Sequence, residues 1–547
     1  MVRKLYGCES FNPLTHPNNQ SQTLYYHGTL PADFISFQQT LDKQTWLNHF
    51  HPFSCVYFCQ LSCDIILVRD HLGVEPLFYY AVGETFIIGQ TIPEILNHLP
   101  SMPQLCGKKL QGLFSEQELY TDETLYRDIC RVEPGSIMHF KGNGSVHKYF
   151  YWRLEPEGPV LRYSNPQDYL AHFSMLMKEA TKNAIDHFDD IACEYSGGLD
   201  SSAIYSTLRA LNCDATLYQH QAIPGSYYAN TYNNKYENAF IAHHQPTNIL
   251  RINADNFDPI AVFEMQAKWF CGPSPFIFTM FAHPLLAAVN QGKHPVLLSG
   301  FGGDQCVSGD APANFYVYEL LRHHHFRQAW YELSNSKKNA IQRGCHLIKF
   351  LHPKLYENHA FCKIMFWKMH NLFRAKQQQL PFPFHPATRR CYKSLREAEW
   401  SVLQGPDSFE IRLRIEYSSI VAKKMGFEYR YPLLYPKLLE FMLSLPPEQK
   451  RHAHESRYLI KRYLARLLRA PIFDTYQKKE GLAIIPGSMD IFKQRYQNGM
   501  YEEAFRELPY AHLMQASDPM KTMRNLIRGY MIKVALCNGA SELNDKD

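Results

Sequence analysis

The stretch "IACEYSGGLDSSAIYSTL", residues 191–208, runs from an apolar segment through a two-glycine turn into apolar residues at helical spacing. A strand that leaves through Ser196, Gly197, Gly198, Leu199, Asp200, Ser201 and Ser202 straight into a helix makes an anion site. The helix N-terminus offers backbone N–H groups and the favourable end of its dipole. Glycine lets the backbone come close to a phosphate, and the serine hydroxyls add donors. Taken alone, SGG also fits an ordinary β–α turn. Asp200 argues against that reading. A carboxylate beside a phosphate repels it unless a cation lies between, and Mg²⁺ takes oxygen ligands from both.

A second stretch, "HPVLLSGFGGDQCVSGD" (294–310), repeats the pattern. An apolar run ends in Gly300, Gly302 and Gly303, and Asp304 is placed as Asp200 is. Two such loops suit the Mg²⁺ carried by a nucleotide triphosphate, held between two carboxylates and phosphate oxygens.

The surrounding chain predicts where these loops sit. "IACEY", "ATLYQHQAI", "NILRINA" and "HPVLLSG" read as strands separated by helical stretches, which predicts a parallel sheet with helices on its faces. In such sheets, ligands bind beyond the carboxyl ends of the strands. Before them, "CVYFCQLSCDIILVRD", "FYYAVGETFIIGQ" and a hairpin through Gly142-Asn143-Gly144 predict a β-rich region. The predicted fold class is therefore α/β: a β-rich domain over 1–155, a linker over 156–168, and a parallel-sheet domain over 169–547 with a helical C-terminal part. Asn165-Pro166 reads as the start of a helix whose apolar stripe is Leu170, Phe173, Met177, Ala180, Ala184 and Phe188.

At 547 residues the chain has room for two or three domains, and its 45% apolar and 20% charged residues are ordinary for a globular protein. A net charge of +5 is small for this length and makes no case for nucleic acid as a partner. No apolar run approaches the ~18 residues of a membrane span, and "MVRKLYGCESFN" has no apolar signal core, so a cytoplasmic location without membrane contact is expected. Among the 14 cysteines no CxxC pair occurs. Cys55, Cys59 and Cys63 read as small buried hydrophobes, and His323-His324-His325 as surface.

The two loops together resemble the asparagine synthetase superfamily, whose SGGLDSS-type loop belongs to enzymes that split ATP between its α and β phosphates. "ILVRDHLGVEPLFYY" (66–80) and "ETLYRDICRVEPGSIMHF" (123–140) resemble the second half of its glutaminase domain. "GFEYRYPLLYPKLLEFMLSLPPEQK" (426–450) resembles the segment closing its synthetase core, and "YQKKEGL" (476–482) the loop bearing its catalytic lysine, matched by Lys479. The resemblance implies attack of a carboxylate on the α-phosphorus of ATP, loss of pyrophosphate, and displacement of AMP by an amine. ATP and Mg²⁺ are the implied cofactors, with Asp200 and Asp304 on the metal and Lys479 stabilising developing charge. Glu237 in "KYENAF" falls where the family carries an acidic residue near the nucleotide, although a glutamate at a helix start also complements the dipole. Arg430 is expected to support the site through an internal ion pair.

Two departures narrow the expectation. Glutamine-using members carry a cysteine after the initiator methionine; here Val2 stands there and "LYYHG" arrives at residue 24, so no glutaminase activity is expected and the domain reads as a degenerate scaffold. Asparagine synthetases carry glutamates where this chain has Phe301 and Gln305. An aromatic ring cannot replace a carboxylate in polar recognition, so the acceptor is expected to differ from aspartate plus ammonia. Within the superfamily, the β-lactam synthetases and lasso-peptide cyclases combine both departures and close a lactam with an amine of their own substrate. The chain resembles the lasso-peptide cyclases more. A peptide or small amino-acid-derived substrate, and a leader-peptide-processing partner, are then implied. The helical, basic region from about 315 to 410 is a candidate for binding such a peptide, or is an ordinary helical subdomain. An ammonia-using synthetase and a non-catalytic ATP-binding relative are the alternatives.

Overall fold

A computed structural model describes residues 4–16, 19–31, 41–115, 121–220, 234–252, 258–273, 277–307, 316, 319–320, 324–334, 394–452, 455–470 and 528–536. Lys478, Lys479 and most of the 315–410 region lie outside the described residues.

The N-terminal part is a sandwich of two sheets. Strands β1 (Lys4–Tyr6), β2 (Asn12–His16), β3 (Asn19–Gly28), β4 (Phe53–Cys59), β5 (Asp64–Arg69), β6 (Phe78–Val82), β7 (Thr85–Gly89), β8 (Ile129–Arg131), β9 (Ser136–Phe140) and β10 (Val146–Phe150) build it. They pair in the orders β1-β7-β6-β8 and β10-β9-β5-β4-β3-β2. Alternation along the central strands explains the layering. Val56, Ile65, Leu67 and Met138 meet Leu77, Phe86 and Ile88 of the facing sheet, while Cys55, Tyr57, Ile66 and Val68 face the other way into the main core. Cys55 and Cys59 are buried in that core, as expected, whereas Cys63 is only half-buried, in the turn before β5 at φ +56°. The hairpin forms through Gly144, at φ +92°, with Lys141 N–H donating to the Ser145 carbonyl.

Five parallel strands follow: β11 (Ile191–Glu194), β12 (Thr216–His220), β13 (Ile249–Ile252), β14 (Val296–Leu298) and β15 (Glu428–Arg430). Their order is β13-β12-β11-β14-β15, and every pairing is parallel. The winding therefore reverses between β11 and β14, the crevice where ligands bind in open α/β sheets. The first three strands are each followed by a right-sized helical crossover: Leu199–Ala210, Asn234–His244, then Pro259–Phe270 and Ile277–Gln291. The helix Gln167–Ile185 starts one residue later than Asn165-Pro166 implied. Pro166 is its cap, and Asn165 Oδ1 accepts from Gln167 N–H at 3.0 Å. Phe173, Met177, Ala180 and Ala184 of the expected stripe are buried, joined by Tyr169 and Leu176.

The segment expected as a linker, together with Leu154 and Glu155 just before it, is hydrogen-bonded to the synthetase part. Trp400 Nε1 donates to the Leu154 carbonyl at 2.9 Å, Arg396 reaches the Glu155 and Pro159 carbonyls, and Leu161 N–H bonds the Ser444 carbonyl. Ion pairs cross the same boundary. Arg69 meets Glu416 at 3.2 Å, and Glu75 pairs with Lys423. Burial raises Glu75 toward neutrality, but Lys423 and His27 outweigh it and hold its carboxyl below the ordinary range. Among the described residues no helix is long and apolar enough to cross a membrane.

Candidate active site

The first glycine loop owes its shape to its own serines. Gly197 sits at φ +69°, a conformation that side chains disfavour, and Gly198 caps the helix Leu199–Ala210 with no side-chain acceptor on its first turn. Ser201 Oγ accepts from Ser196 N–H at 3.2 Å, and Ser196 Oγ accepts from Gly198 N–H at 3.3 Å. Ser201 and Ser202 are buried, so they brace the loop, while Ser196 is exposed at its tip. Leu199 is wholly buried and anchors the turn to the core. No side chain of the cap residue occupies the helix start, where N–H groups and the helix dipole favour an anion.

The second loop lies directly against the first. Register brings this about: Cys193 pairs with Leu298, so Glu194 and Ser299 end their strands side by side. A β-carbon on Gly300 would stand 3.1 Å from Ser201 N, and one on Gly303 would fall on the carboxyl carbon of Asp200. Gly302 turns at φ +88° against Leu434. Nothing larger than hydrogen fits between the loops at Gly303.

Asp200 and Asp304 come together on one guanidinium. Arg457 Nη1 lies 3.7 Å from Asp200 Oδ2, and Arg457 Nη2 donates to Asp304 Oδ1. Arg457 is 4% exposed and takes the left-handed conformation, φ +66°, in front of the helix Tyr458–Leu468. Strain of this kind costs of order 1–3 kcal/mol and persists where surrounding structure enforces it. Sequence reading missed Arg457, whose only signal was a basic residue before an amphipathic helix rich in other basic residues.

Three further residues shape the floor. Glu194 accepts from Ser299 Oγ and from Tyr429 OH, joining β11, β14 and β15 at their carboxyl ends. Phe301 is buried, with the Arg414 guanidinium 3.8 Å above its ring. A small cavity bounded by Ser299, Phe301, Arg414, Tyr429 and Tyr431 adjoins this loop. Burial lowers the Arg414 pKa while Glu194 opposes the shift.

Glu237 is placed beyond β12, in the first turn of its helix, and its Oε1 accepts from Gln219 Nε2 and Arg251 Nη2, both at 3.2 Å. That carboxylate ties helix to strands. Arg430 donates to Glu428, the internal ion pair expected of it.

A five-stranded parallel sheet with two glycine loops meeting at its switch point defines an open α/β class of fold. Residues 172–514, more than half of the chain, match the family model described as asparagine synthase. Residues 52–152 match the one described as a glutamine amidotransferase domain. The chain belongs to the asparagine synthase family. It is 28% identical over 141 residues to the glutamine-hydrolyzing asparagine synthetase 3 of Bacillus subtilis (strain 168), covering 26% of this chain and 22% of that protein. It is 24% identical over 148 residues to a Methanocaldococcus jannaschii protein provisionally named glutamine-hydrolyzing asparagine synthetase 2, covering 26% of this chain and 28% of that one. The chain thus matches about a quarter of the length of each of these curated relatives.

Proposed function

We propose that this protein is an ATP-dependent ligase that adenylates a carboxylate with loss of pyrophosphate, then forms an amide with release of AMP. The observation that carries this reading is the meeting of Asp200, Asp304 and Arg457 between two strand-end glycine loops. Two hard carboxylates converging within reach of one guanidinium are a donor set that fits Mg²⁺. Asp200 and Asp304 would hold the ion, which neutralises phosphate charge when bound. The first-turn N–H groups after Gly198 bind the pyrophosphate oxygens, and Ser196 adds a hydroxyl at the loop tip. Arg457 already faces both carboxylates and can turn to phosphate oxygens as charge moves there.

We further propose that the amine belongs to the substrate itself, giving a lactam in a peptide of lasso type. Phe301 supports this: where free-aspartate chemistry needs a carboxylate, the chain buries an aromatic ring beneath Arg414. A leader-peptide-processing partner accompanies that reading. No glutaminase step enters it. The thiol of Cys8 is pushed up to about 12 by burial and by Glu9, far from a reactive thiolate.

Nucleotide products test the core of the reading. With ATP, Mg²⁺ and an acidic peptide bearing a free N-terminal amine, chromatography should show AMP and pyrophosphate, and mass spectrometry a peptide lighter by one water. ADP as the main product would sink the adenylation assignment. AMP formed together with free asparagine from aspartate and ammonia would leave adenylation standing and overturn the lactam.

Lys479 is proposed as the catalytic lysine. Lys479→Ala is expected to bind ATP nearly normally and to form product about 100-fold more slowly, because charge stabilisation acts in the transition state. Lys478→Ala should change little. Equal effects of the two, in single-turnover rates, would show the role assigned to the wrong residue.

A further inference from the structure

We propose that His51, Asp186 and His187 form a divalent-metal site, suited to Zn²⁺, that ties the N-terminal sandwich to the first helix of the synthetase part. Asp186 Oδ2 lies 3.5 Å from His51 Nε2 and 3.5 Å from His187 Nε2. All three donor atoms lie within 4.8 Å of one another. These separations discriminate between two arrangements. A charge-assisted N–H···O⁻ bond closes to about 2.7–2.9 Å. Ligands on a tetrahedral ion with bonds of ~2.0–2.1 Å stand about 3.3–3.4 Å apart, the edge of that tetrahedron. Both separations from Asp186 lie close to that edge, and the two imidazole nitrogens lie within 4.8 Å of each other. Two imidazoles and one carboxylate are also a donor set that Zn²⁺ takes, leaving a fourth position for water.

The backbone builds the cluster at a cost. The helix Gln167–Ile185 ends at Asp186, which leaves at ψ 132°, and His187 then takes φ +72°. Glycine is the usual occupant of a left-handed position after a helix. Here a histidine holds it, and the turn brings two neighbouring side chains onto His51, which precedes β4. Asn183 Nδ2 lies 3.4 Å from the same His51 Nε2. On metal binding, this long contact is exchanged for a shorter bond. Arg430 repels a cation, and the Asp186 carboxylate opposes it.

The ligands come from both halves of the chain. His51 belongs to the sandwich, whereas Asp186 and His187 terminate a helix that packs against the glycine-loop helix. An ion there holds the scaffold domain to the catalytic one.

Co²⁺ is the probe, added to the full-length protein after chelator treatment. Wild type should bind one equivalent that gives the intense visible bands of four-coordinate Co²⁺, and Zn²⁺ should displace it. His187→Gln and Asp186→Asn alter side chains that are 66% and 48% exposed, so the fold should tolerate them. Each should weaken that equivalent at least about 10-fold. Zn²⁺ should raise the unfolding temperature of wild type and not of either variant. Unchanged affinity and spectrum in both variants, or no four-coordinate spectrum in wild type, would overturn the site.

Discussion

Asp304→Asn and Asp200→Asn are each expected to slow AMP formation roughly 1,000-fold, about 4 kcal/mol in the barrier, with the fold intact. Each removes one of two anions that converge at the switch point, where Mg²⁺ would neutralise the departing pyrophosphate. The geometry adds a complication. Arg457 faces both carboxylates, so each variant also loosens the guanidinium, and lost rate alone does not separate the two roles. A Mg²⁺ titration does. If the carboxylates ligate the ion, the Mg²⁺ concentration for half-maximal rate must rise in both variants. If they only hold Arg457, that concentration stays put while the rate falls. Circular dichroism and the unfolding temperature should remain near wild type, since Asp304 is 37% exposed and Asp200 lies at a helix start. Activity within a few-fold of wild type at saturating Mg²⁺ would remove both residues from the site.

How much of this site could be read from the chain follows from which interactions are local. Gly197, Gly198, Ser196 and Ser201 fold upon one another within six residues, so strand, turn and helix were visible together. The second loop was visible for the same reason. Their adjacency depended on strand order, which the strand-end rule reaches only because both loops leave carboxyl ends. Arg457 was out of reach. It meets Asp304 across 153 residues, and neither its burial nor its positive φ leaves a trace in a stretch rich in arginine and lysine. Glu237 is held at the end of β12 by Gln219 and Arg251, two contacts that its place at a helix start did not announce.

The segment expected as a linker teaches the same lesson at domain scale. Proline and polar residues in "RLEPEGPVLRYSNPQ" (153–167) read as a linker. Its backbone groups bond Gln404, Trp400, Arg396 and Ser444, all distant in sequence. Composition reports what a segment can do unaided. Partners hundreds of residues away decide what it does.

The strongest of those distant contacts gives the largest stability effect expected here. Glu416 lies in the helix Phe409–Lys424 and reaches back into the sandwich, with Oε2 3.2 Å from Arg69 Nη1 and Oε1 3.3 Å from Arg131 Nε. Arg69 is 0% exposed and cannot turn to solvent, because its other N–H groups are committed to the Glu75, Val132 and Gly73 carbonyls. Removing the carboxylate therefore leaves a buried guanidinium charge with no counter-charge on that side. Breaking one partner of a buried pair typically costs about 3–5 kcal/mol, far more than the net worth of the pair. Glu416→Ala is expected to lose that much, read as the shift of the urea midpoint at unchanged slope. Glu416→Gln keeps the shape and one acceptor, so it should fall between. The same variant is predicted to leave the rate per folded molecule close to wild type, because Glu416 touches neither glycine loop. A loss below about 1 kcal/mol would mean that water or another anion reaches Arg69, and that the two halves are held together by apolar packing alone.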